Sequence, residues 1–240
     1  RDEPSMTPQQ RALSSGGLSA YRRMVGGEIS WLSFAWFETT QLLLSNLPGI
    51  LGLGSRSFIY RSLFARCGVR PAIGRGVTLR GAHMIELGDR TIIDDYATLD
   101  ARGAGARMVL GDRVTVGRFT TLAAKGGQIH LHPAANIGSY CRIATQSKVV
   151  IGESALVAAF CYLGPGNHQQ GDMERPLIER PMEIKGGVSV GAHCWIGAHT
   201  TILDGVTIGD RAIVGAHSLV REDVPPGAVV AGAPARVIRN

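Results

Sequence analysis

Aliphatic residues recur at every sixth position along most of this chain. In its C-terminal part the series runs through Ile184, Val190, Ile196, Ile202, Ile208, Val214 and Val220. Helices repeat every 3.6 residues and strands every two, so a period of six describes neither element alone. It predicts a short strand followed by a tight corner, repeated three times in each coil of a triangular solenoid.

The same spacing occurs upstream in sets of three. The sets are Leu87, Ile93 and Leu99; Leu110, Val116 and Leu122; Leu131, Ile137 and Ile143; and Ile151, Val157 and Leu163. The chain also has 32 glycines, about twice the usual 7%, and many directly follow the aliphatic residue, where a corner admits only small side chains. With coils about 4.8 Å apart, roughly seven coils predict a prism about 33 Å long.

The period is interrupted once, in "LGPGNHQQGDMERPLIERP" at residues 163 to 181. After Leu163 the next aliphatic residue of the series is Ile184, so about fifteen extra residues leave the solenoid at one corner. A loop expelled from a regular scaffold is a frequent place for function. We therefore predict an active-site loop over residues 169–183, with His168 at its start.

The repeat resembles that of the hexapeptide-repeat acyltransferases. The closing sequence "VSVGAHCWIGAHTTILDGVTIGDRAIVGAHSLVREDVPPGAVVAGAPARVIRN" is similar to the C-terminal signature of their sugar and xenobiotic O-acetyltransferase branch. The resemblance covers about residues 72 to 224. It implies a mainly β fold, a left-handed parallel β-helix over 71–224, followed by a coenzyme A-binding tail over 225–240. The left hand comes from the resemblance, since parallel crossovers are ordinarily right-handed.

The resemblance also implies a catalytic histidine. "GNH" followed by "CWIG" keeps the order of the family's catalytic histidine and the coil after its loop. His168 would then be the general base that takes the proton of an acceptor hydroxyl, a task that suits an imidazole with a pKa near 6.5. The alternative is a solvated loop histidine.

Three acceptor contacts follow from the same resemblance, namely Asn167, Trp195 and Ser139. Some galactoside enzymes of the family have an asparagine at the position of Ser139, so this chain departs from them there. For Trp195, the alternative is a side chain that packs in an interface between subunits.

Acetyl-CoA is the cosubstrate that the resemblance implies, bound in a groove between two subunits of a homotrimer. Backbone contacts would come from Ala198 and Ala216, and phosphate contacts from Arg221, Arg236 and Arg239. Arginine suits phosphate because its planar fork donates two parallel hydrogen bonds. Many relatives have Thr-Lys where this chain has Val220-Arg221, so the charge is kept and a hydroxyl is lost. A solvated basic tail is the alternative.

The net charge and the histidines limit which partners and metal sites are expected. A formal charge of +6 suggests an anionic partner, but the chain has no RNA-binding signature or zinc-finger spacing, so nucleic acid is not expected. His193, His199 and His217 each stand three after an aliphatic residue of the series. The last two are predicted to stack on adjacent coils and the first to lie on another face, so we expect no metal site.

The four cysteines form no C-x-x-C pair and favour a reducing, cytoplasmic location. Three of them, Cys141, Cys161 and Cys194, fall at the small-residue corner position, four after an aliphatic residue. We interpret these three as structural.

The N-terminal part differs from the repeats. Residues 1–27 are rich in Ser, Gly, Gln and Pro and are expected to be poorly ordered. Residues 28–70 have apolar residues at helical spacing, and Pro48-Gly49 divides them into two helices, about 28–46 and 50–66. No uninterrupted run of about 20 apolar residues is present, so a membrane-spanning helix is not expected.

Two hypotheses for this hairpin remain open. It could lie on a membrane surface, with its arginines near anionic headgroups, or it could seal the first coil or form a trimer contact. The arginines in question are Arg56, Arg61, Arg66 and Arg70.

The resemblance therefore implies a cytoplasmic O-acetyltransferase that acts on a saccharide or a glycosylated acceptor, lipid-linked acceptors included. Membrane association depends on which of the two hypotheses for the hairpin holds. A xenobiotic or antibiotic acetyltransferase and an amino-sugar N-acyltransferase are the enzymatic alternatives. A noncatalytic scaffold that binds a partner is the alternative from a different class.

Overall fold

Three parallel sheets form a three-sided β-helix of about seven coils. The computed structural model describes residues 17–164, 167–169 and 179–239 together with positions 171, 174 and 176; for Asn167 and His168 it describes the backbone only. The strands of successive coils pair in parallel, as Val116 does with Ile93 and Ile137. The predicted hexapeptide-repeat β-helix with an N-terminal helical segment is confirmed.

The strands are numbered in chain order and sorted by face. Face 1 contains β1 (Arg66–Cys67), β4 (Ile85–Leu87), β7 (Arg107–Leu110), β10 (Gln128–Leu131), β13 (Lys148–Ile151), β18 (Val188–Val190) and β21 (Thr207–Ile208). Face 2 contains β2 (Ala72–Ile73), β5 (Ile92–Ile93), β8 (Thr115–Val116), β11 (Asn136–Ile137), β14 (Leu156–Val157), β19 (Trp195–Ile196), β22 (Ile213–Val214), β24 (Val229–Gly232) and β25 (Ala235–Arg239). Face 3 contains β3 (Thr78–Arg80), β6 (Thr98–Arg102), β9 (Thr121–Lys125), β12 (Arg142–Thr145), β15 (Tyr162–Leu163), β20 (Thr201–Ile202) and β23 (Leu219–Val220).

The repeated aliphatic residues fill the inside of the prism. Those of face 2, such as Ile93, Val157 and Ile196, are fully buried and stack in one continuous core. Burial of this apolar column is the main favourable contribution to a fold whose coils touch only their neighbours.

The three corner cysteines are buried, and each thiol donates to a backbone carbonyl of the next coil. Cys141 Sγ lies 3.1 Å from the carbonyl oxygen of Ala158, and Cys194 Sγ lies 3.0 Å from that of Gly209. Cys161 donates in the same way, 3.2 Å from the carbonyl oxygen of Gly197. Burial raises the pKa of the Cys194 thiol, which disfavours a nucleophilic thiolate. These contacts agree with the structural interpretation.

The interruption is longer than the sequence predicts. Ile184 is 47% exposed and belongs to no coil, so its place in the aliphatic series is wrong. It follows β17 (Met182–Glu183), which pairs antiparallel with β16 (Asn167–His168). The coil resumes only at β18, and the insertion therefore separates β15 from β18. A spacing of six residues does not distinguish a solenoid strand from the arm of a hairpin.

Three helices precede the first coil: α1 (Leu18–Gly26), α2 (Trp31–Leu44) and α3 (Gly49–Ile59). Short 3-10 turns follow at Tyr60–Leu63 and Ala82–Met84. The segment expected to be poorly ordered, residues 1–27, contains α1, while residues 1–16 lie outside the described part of the chain. Contacts from distant residues hold α1: Arg102 Nη1 donates to the carbonyl of Met24 at 2.7 Å, and Gly81 N donates to that of Val25 at 2.9 Å.

Arg56 fastens the helices to the solenoid. Its side chain is buried, and its Nε donates to the carbonyl of Ile73 in the first coil at 2.8 Å. Its Nη1 donates to the carbonyls of Leu44 and Leu47, at 2.9 and 2.8 Å. The placement of Arg56 near lipid headgroups is therefore wrong, and the inner side of the hairpin caps the first coil. Within the described residues, no helix is long and apolar enough to cross a membrane.

The C-terminal residues continue the solenoid beyond its predicted end at 224. The strand β24 adds to face 2 beside β22, and β25 folds back antiparallel on β24 after a cis peptide bond between Ala233 and Pro234. The predicted tail is thus a hairpin that ends face 2.

Candidate active site

The prism has three corners, named here corner 1–2, corner 2–3 and corner 3–1 after the faces that they join. The residues at the bend of corner 2–3 have left-handed backbone conformations, with φ from 56° to 61°. They are Tyr96, Phe119, Tyr140, Phe160, His199 and His217. Non-glycine residues seldom adopt this conformation, so its repetition gives every coil the same bend and points every side chain in the same direction.

These six rings stack into one column, the aromatic ladder. Neighbouring ring centroids are 5.2, 5.0, 4.9, 4.8 and 4.6 Å apart from Tyr96 to His217. The predicted stacking of His199 on His217 is confirmed at 4.6 Å. The four rings before them were not predicted to stack, although all six stand three residues after a face 2 aliphatic residue.

Three predicted site residues lie immediately before members of the ladder, at the same corner. They are Ser139, Ala198 and Ala216. The carbonyl of Ala198 accepts a hydrogen bond from His217 N at 2.9 Å. Within the described residues, however, the N–H groups of Ala198 and Ala216 have no hydrogen-bond partner. This corner therefore presents a row of backbone donors.

Two of the predicted phosphate-binding arginines meet at one carboxylate. Arg221 Nε and Arg236 Nη1 each lie 3.6 Å from Glu222 Oε1. Arg236 pairs with Ala231 in the C-terminal hairpin, and Ala231 packs against Gly215, the residue before Ala216. Arg236 thus stands at the end of the row of donors. Arg239 is exposed on the same strand, in register with Val229.

Trp195 lies on face 2, three residues before Ala198. It is 53% exposed, and its side chain points out of the prism. Its backbone pairs with Leu156 and Ile213 in the flanking coils. The indole is therefore held by two neighbouring strands beside corner 2–3, with its ring open to a ligand or a neighbouring subunit.

The insertion lies at a different corner. It leaves face 3 after β15 and returns to face 1 at β18, so it occupies corner 3–1. Its return end is fixed by Asp204, whose carboxylate accepts from Lys185 N at 2.5 Å and from Gly187 N at 2.7 Å. The side chains of Asn167 and His168 lie outside what the structure describes, so their predicted roles remain predictions. Within one chain, face 3 separates the insertion from the row of donors.

The remaining histidines show no cluster with metal-binding character. Within the part of the chain that the structure describes, no group of three or more His, Cys, Asp or Glu residues could hold a metal ion. His193 is exposed at corner 1–2, apart from His199 and His217 at corner 2–3.

Comparison with known proteins supports the assignment of the repeat. Residues 187–222 match the family model described as "Bacterial transferase hexapeptide (six repeats)". The matched segment contains Trp195, Ala198 and Ala216. The fold and the match agree: residues 187–222 resemble a hexapeptide-repeat transferase, and the described strands of this segment form coils of the β-helix.

Two curated relatives are similar over about half of the chain. Nodulation protein L of Rhizobium meliloti (strain 1021) is 39% identical over 112 residues, which are 47% of this chain and 60% of the relative. Galactoside O-acetyltransferase of Escherichia coli (strain K12) is 34% identical over 115 residues, 48% of this chain and 55% of the relative. The chain thus spans less than two thirds of the length of either relative.

A solved structure shares the fold. A mutant of AntD, an N-acyltransferase from Bacillus cereus in complex with coenzyme A and dTDP-4-amino-4,6-dideoxyglucose, superimposes with a TM-score of 0.53 at 20% identity. The superposition covers 75% of this chain and 86% of that protein. At this identity the likeness concerns the architecture.

Proposed function

We propose that this protein is an O-acetyltransferase that moves the acetyl group of acetyl-CoA to a hydroxyl of a saccharide or glycosylated acceptor, lipid-linked acceptors included. The observation that carries the proposal is the row of unpaired N–H groups at Ala198 and Ala216, within the described residues, with an arginine at its end. The similarity to a galactoside O-acetyltransferase supports a sugar hydroxyl as the acceptor.

Coenzyme A has the hydrogen-bond acceptors and the negative charges that would complement this corner. Its pantetheine arm has amide carbonyls that can accept from the free N–H groups, and its phosphates need cations. Arg221 and Arg236, both exposed and near Glu222, are available to phosphate because an exposed ion pair is weak and easily exchanged. The residues present therefore fit the cosubstrate, and Arg239 extends the cationic strand.

We further propose that the active site is completed by a second subunit of a homotrimer. Face 3 separates the insertion from the donors of corner 2–3 in one chain. Packing of prisms side by side would bring corner 3–1 of one subunit to corner 2–3 of its neighbour. A groove between subunits would then contain His168 from one chain, and Trp195 and Ala198 from the other.

In this groove His168 acts as the general base. A sugar hydroxyl is a weak nucleophile at neutral pH, and an imidazole in hydrogen-bond range removes its proton as the oxygen attacks the thioester carbonyl. The new ester bond forms as the carbon–sulfur bond breaks, and the proton passes from the imidazole to the departing thiolate. Asn167 and Ser139 are the proposed contacts to the acceptor.

The first experiment is replacement of His168 by Ala. Thiol release from acetyl-CoA, measured with a panel of sugars, amino sugars and antibiotics, should fall by about 10² to 10⁴-fold. The dissociation constant of coenzyme A, measured by calorimetry, should stay nearly unchanged. His193→Ala, an exposed histidine at corner 1–2, is the matched control and should retain activity.

The acceptor panel also separates the alternatives. Turnover with amino sugars alone would indicate N-acylation, and turnover with antibiotics alone a xenobiotic enzyme. A His168→Ala protein with wild-type turnover would overturn the proposed base. Absence of thiol release with every acceptor, including lipid-linked sugars, would favour the noncatalytic scaffold.

A further inference from the structure

The helix α2 has an apolar side that faces away from the prism. Its outer residues Leu32, Trp36, Leu42 and Leu43 lie within about 120° of the helix circumference. Leu32 is 86% exposed and Leu42 is 85% exposed. The opposite side of the helix buries Phe34, Phe37 and Thr40. The outer side of α2 therefore presents four large apolar side chains to solvent.

The helix α3 repeats this arrangement. Ile50 and Phe58 are 84% and 78% exposed, and they lie on one side together with Leu51. Gly52 and Arg56 are buried on the other side, where the helix packs on the first coil. Since α2 and α3 also contact each other, their outer sides form one surface, termed here the apolar outer surface.

Exposed arginines follow the helices in the chain. Arg61 stands three residues after Phe58, in the 3-10 turn that continues α3, whereas Arg66 is in β1 of face 1 and Arg70 is at the bend of corner 1–2. All three are exposed, and within the described residues none of them has an ion-pair partner. Residues 17–70 contain six arginines and two glutamates. One of these carboxylates, Glu38, is engaged by the hydroxyl of Tyr21.

We propose that the apolar outer surface docks this protein in the plane of an anionic phospholipid bilayer. Helices of 14 and 11 residues are about 21 and 17 Å long, well short of the roughly 30 Å hydrocarbon core. They therefore lie within the interface, with aliphatic side chains among the acyl chains and arginines at the headgroups. Trp36, whose Nε1 donates to Ser62 Oγ at 2.9 Å, is an amphipathic ring of the kind enriched at that depth.

Charge favours a bilayer over a second copy of the chain. Two copies joined through the same surface would bring their arginines together with few carboxylates to pair with them, since Glu28 is the one exposed glutamate of residues 17–70, whereas anionic headgroups neutralise these charges. Because Arg56 and the buried sides of α2 and α3 already hold the hairpin on the first coil, docking requires no unfolding of the cap. The inference does not depend on the proposed reaction, since vesicle binding requires no acyl transfer.

The test is co-sedimentation of the full chain with lipid vesicles. We expect binding to vesicles of phosphatidylcholine mixed with phosphatidylglycerol, and much weaker binding to phosphatidylcholine alone. Leu42→Ser combined with Ile50→Ser should weaken binding about tenfold or more, and Arg61→Gln about fivefold.

Matched controls remove the same groups elsewhere. Ile92→Ser combined with Leu156→Ser removes two exposed apolar side chains of face 2, and Arg113→Gln removes an exposed arginine of corner 1–2. Both controls should bind as the wild type does. Light scattering and thermal unfolding of each variant report oligomeric state and folding.

Three results would overturn the proposal. The first is a wild-type chain that stays in solution with anionic vesicles. The second is wild-type vesicle binding by the folded Leu42→Ser, Ile50→Ser variant. The third is a smaller oligomer of that variant with unchanged vesicle binding, which would identify the surface as a contact between copies.

Discussion

Corners 1–2 and 2–3 have the same bend but different chemistry. At corner 1–2 aspartates close the backbone: Asp89 Oδ1 accepts from Val69 N at 2.9 Å, and Asp210 Oδ1 accepts from Ala192 N at 2.8 Å. At corner 2–3 of the last coils, alanines occupy the equivalent positions, and the N–H groups of Ala198 and Ala216 remain unpaired within the described residues. The two corners therefore differ at Ala192 on one side and at Ala198 and Ala216 on the other. Corner 1–2 is not capped throughout, because the N–H groups of Asp112, Glu153 and Asp210 also have no partner within the described residues.

An aspartate can also cap a backbone N–H group at corner 2–3. In the first coils Asp95 Oδ1 accepts from Arg75 N at 2.7 Å at that same corner. The later coils have alanine at the position that Asp95 occupies, and this difference leaves their N–H donors available to a ligand. Binding sites commonly retain such groups at a cost in stability.

The largest difference in stability should come from the aromatic ladder. Phe160→Ala removes the stacks on Tyr140 and His199, at 4.9 and 4.8 Å, and should lower the free energy of unfolding by about 1–2 kcal/mol. Ser154→Ala is the matched control, because Ser154 has the same left-handed conformation at corner 1–2 of the same coil. Denaturant titration of both variants measures the difference. Equal losses of unfolding free energy in the two variants would show that ring stacking contributes no stability beyond that of the left-handed bend.

Replacement of Arg236 tests whether the C-terminal arginines bind coenzyme A or stabilise the fold. Arg236→Gln should weaken coenzyme A binding about tenfold, the effect of losing a charged hydrogen bond, and leave the unfolding free energy unchanged because its ion pair is exposed. Arg113→Gln at corner 1–2 should change neither quantity. Calorimetry that finds equal affinity for both variants would remove Arg236 from the proposed site.

The sequence predicts the solenoid well because its information is local. Burial of Ile93, Val157 and Ile196 follows from a period that every coil repeats. The ladder was also present in that period, at the third residue after each aliphatic residue. The sequence predicts stacking only for His199 and His217, because the four rings before them are of other residue types and do not look like a repeat.

Long-range contacts explain what the sequence does not predict. The helix α1 depends on Arg102, whose partner Met24 is 78 residues away. From the sequence alone Arg56 is expected to be an exposed cation. In the fold it is buried and donates to the carbonyls of Ile73 and Leu44. Ile184 keeps the period by coincidence within the insertion. The catalytic assignment of His168 rests on resemblance, because its side chain lies outside the described structure.

The proposed site binds coenzyme A through uncapped N–H groups of corner 2–3, and two reciprocal substitutions test this proposal. Ala216→Asp would install at corner 2–3 the residue that Asp210 provides at corner 1–2, and its carboxylate should accept from Ala198 N. Asp210→Ala is the reciprocal change, which removes the acceptor from Ala192 N.

The decisive measurement is the dissociation constant of coenzyme A together with the unfolding free energy of these two variants. Ala216→Asp should gain about 1 kcal/mol of stability and lose at least about tenfold in affinity, since the donor is used and the new charge repels phosphate. Asp210→Ala should lose about 1 kcal/mol and bind coenzyme A as the wild type does. A stabilised Ala216→Asp protein with undiminished affinity would contradict the account.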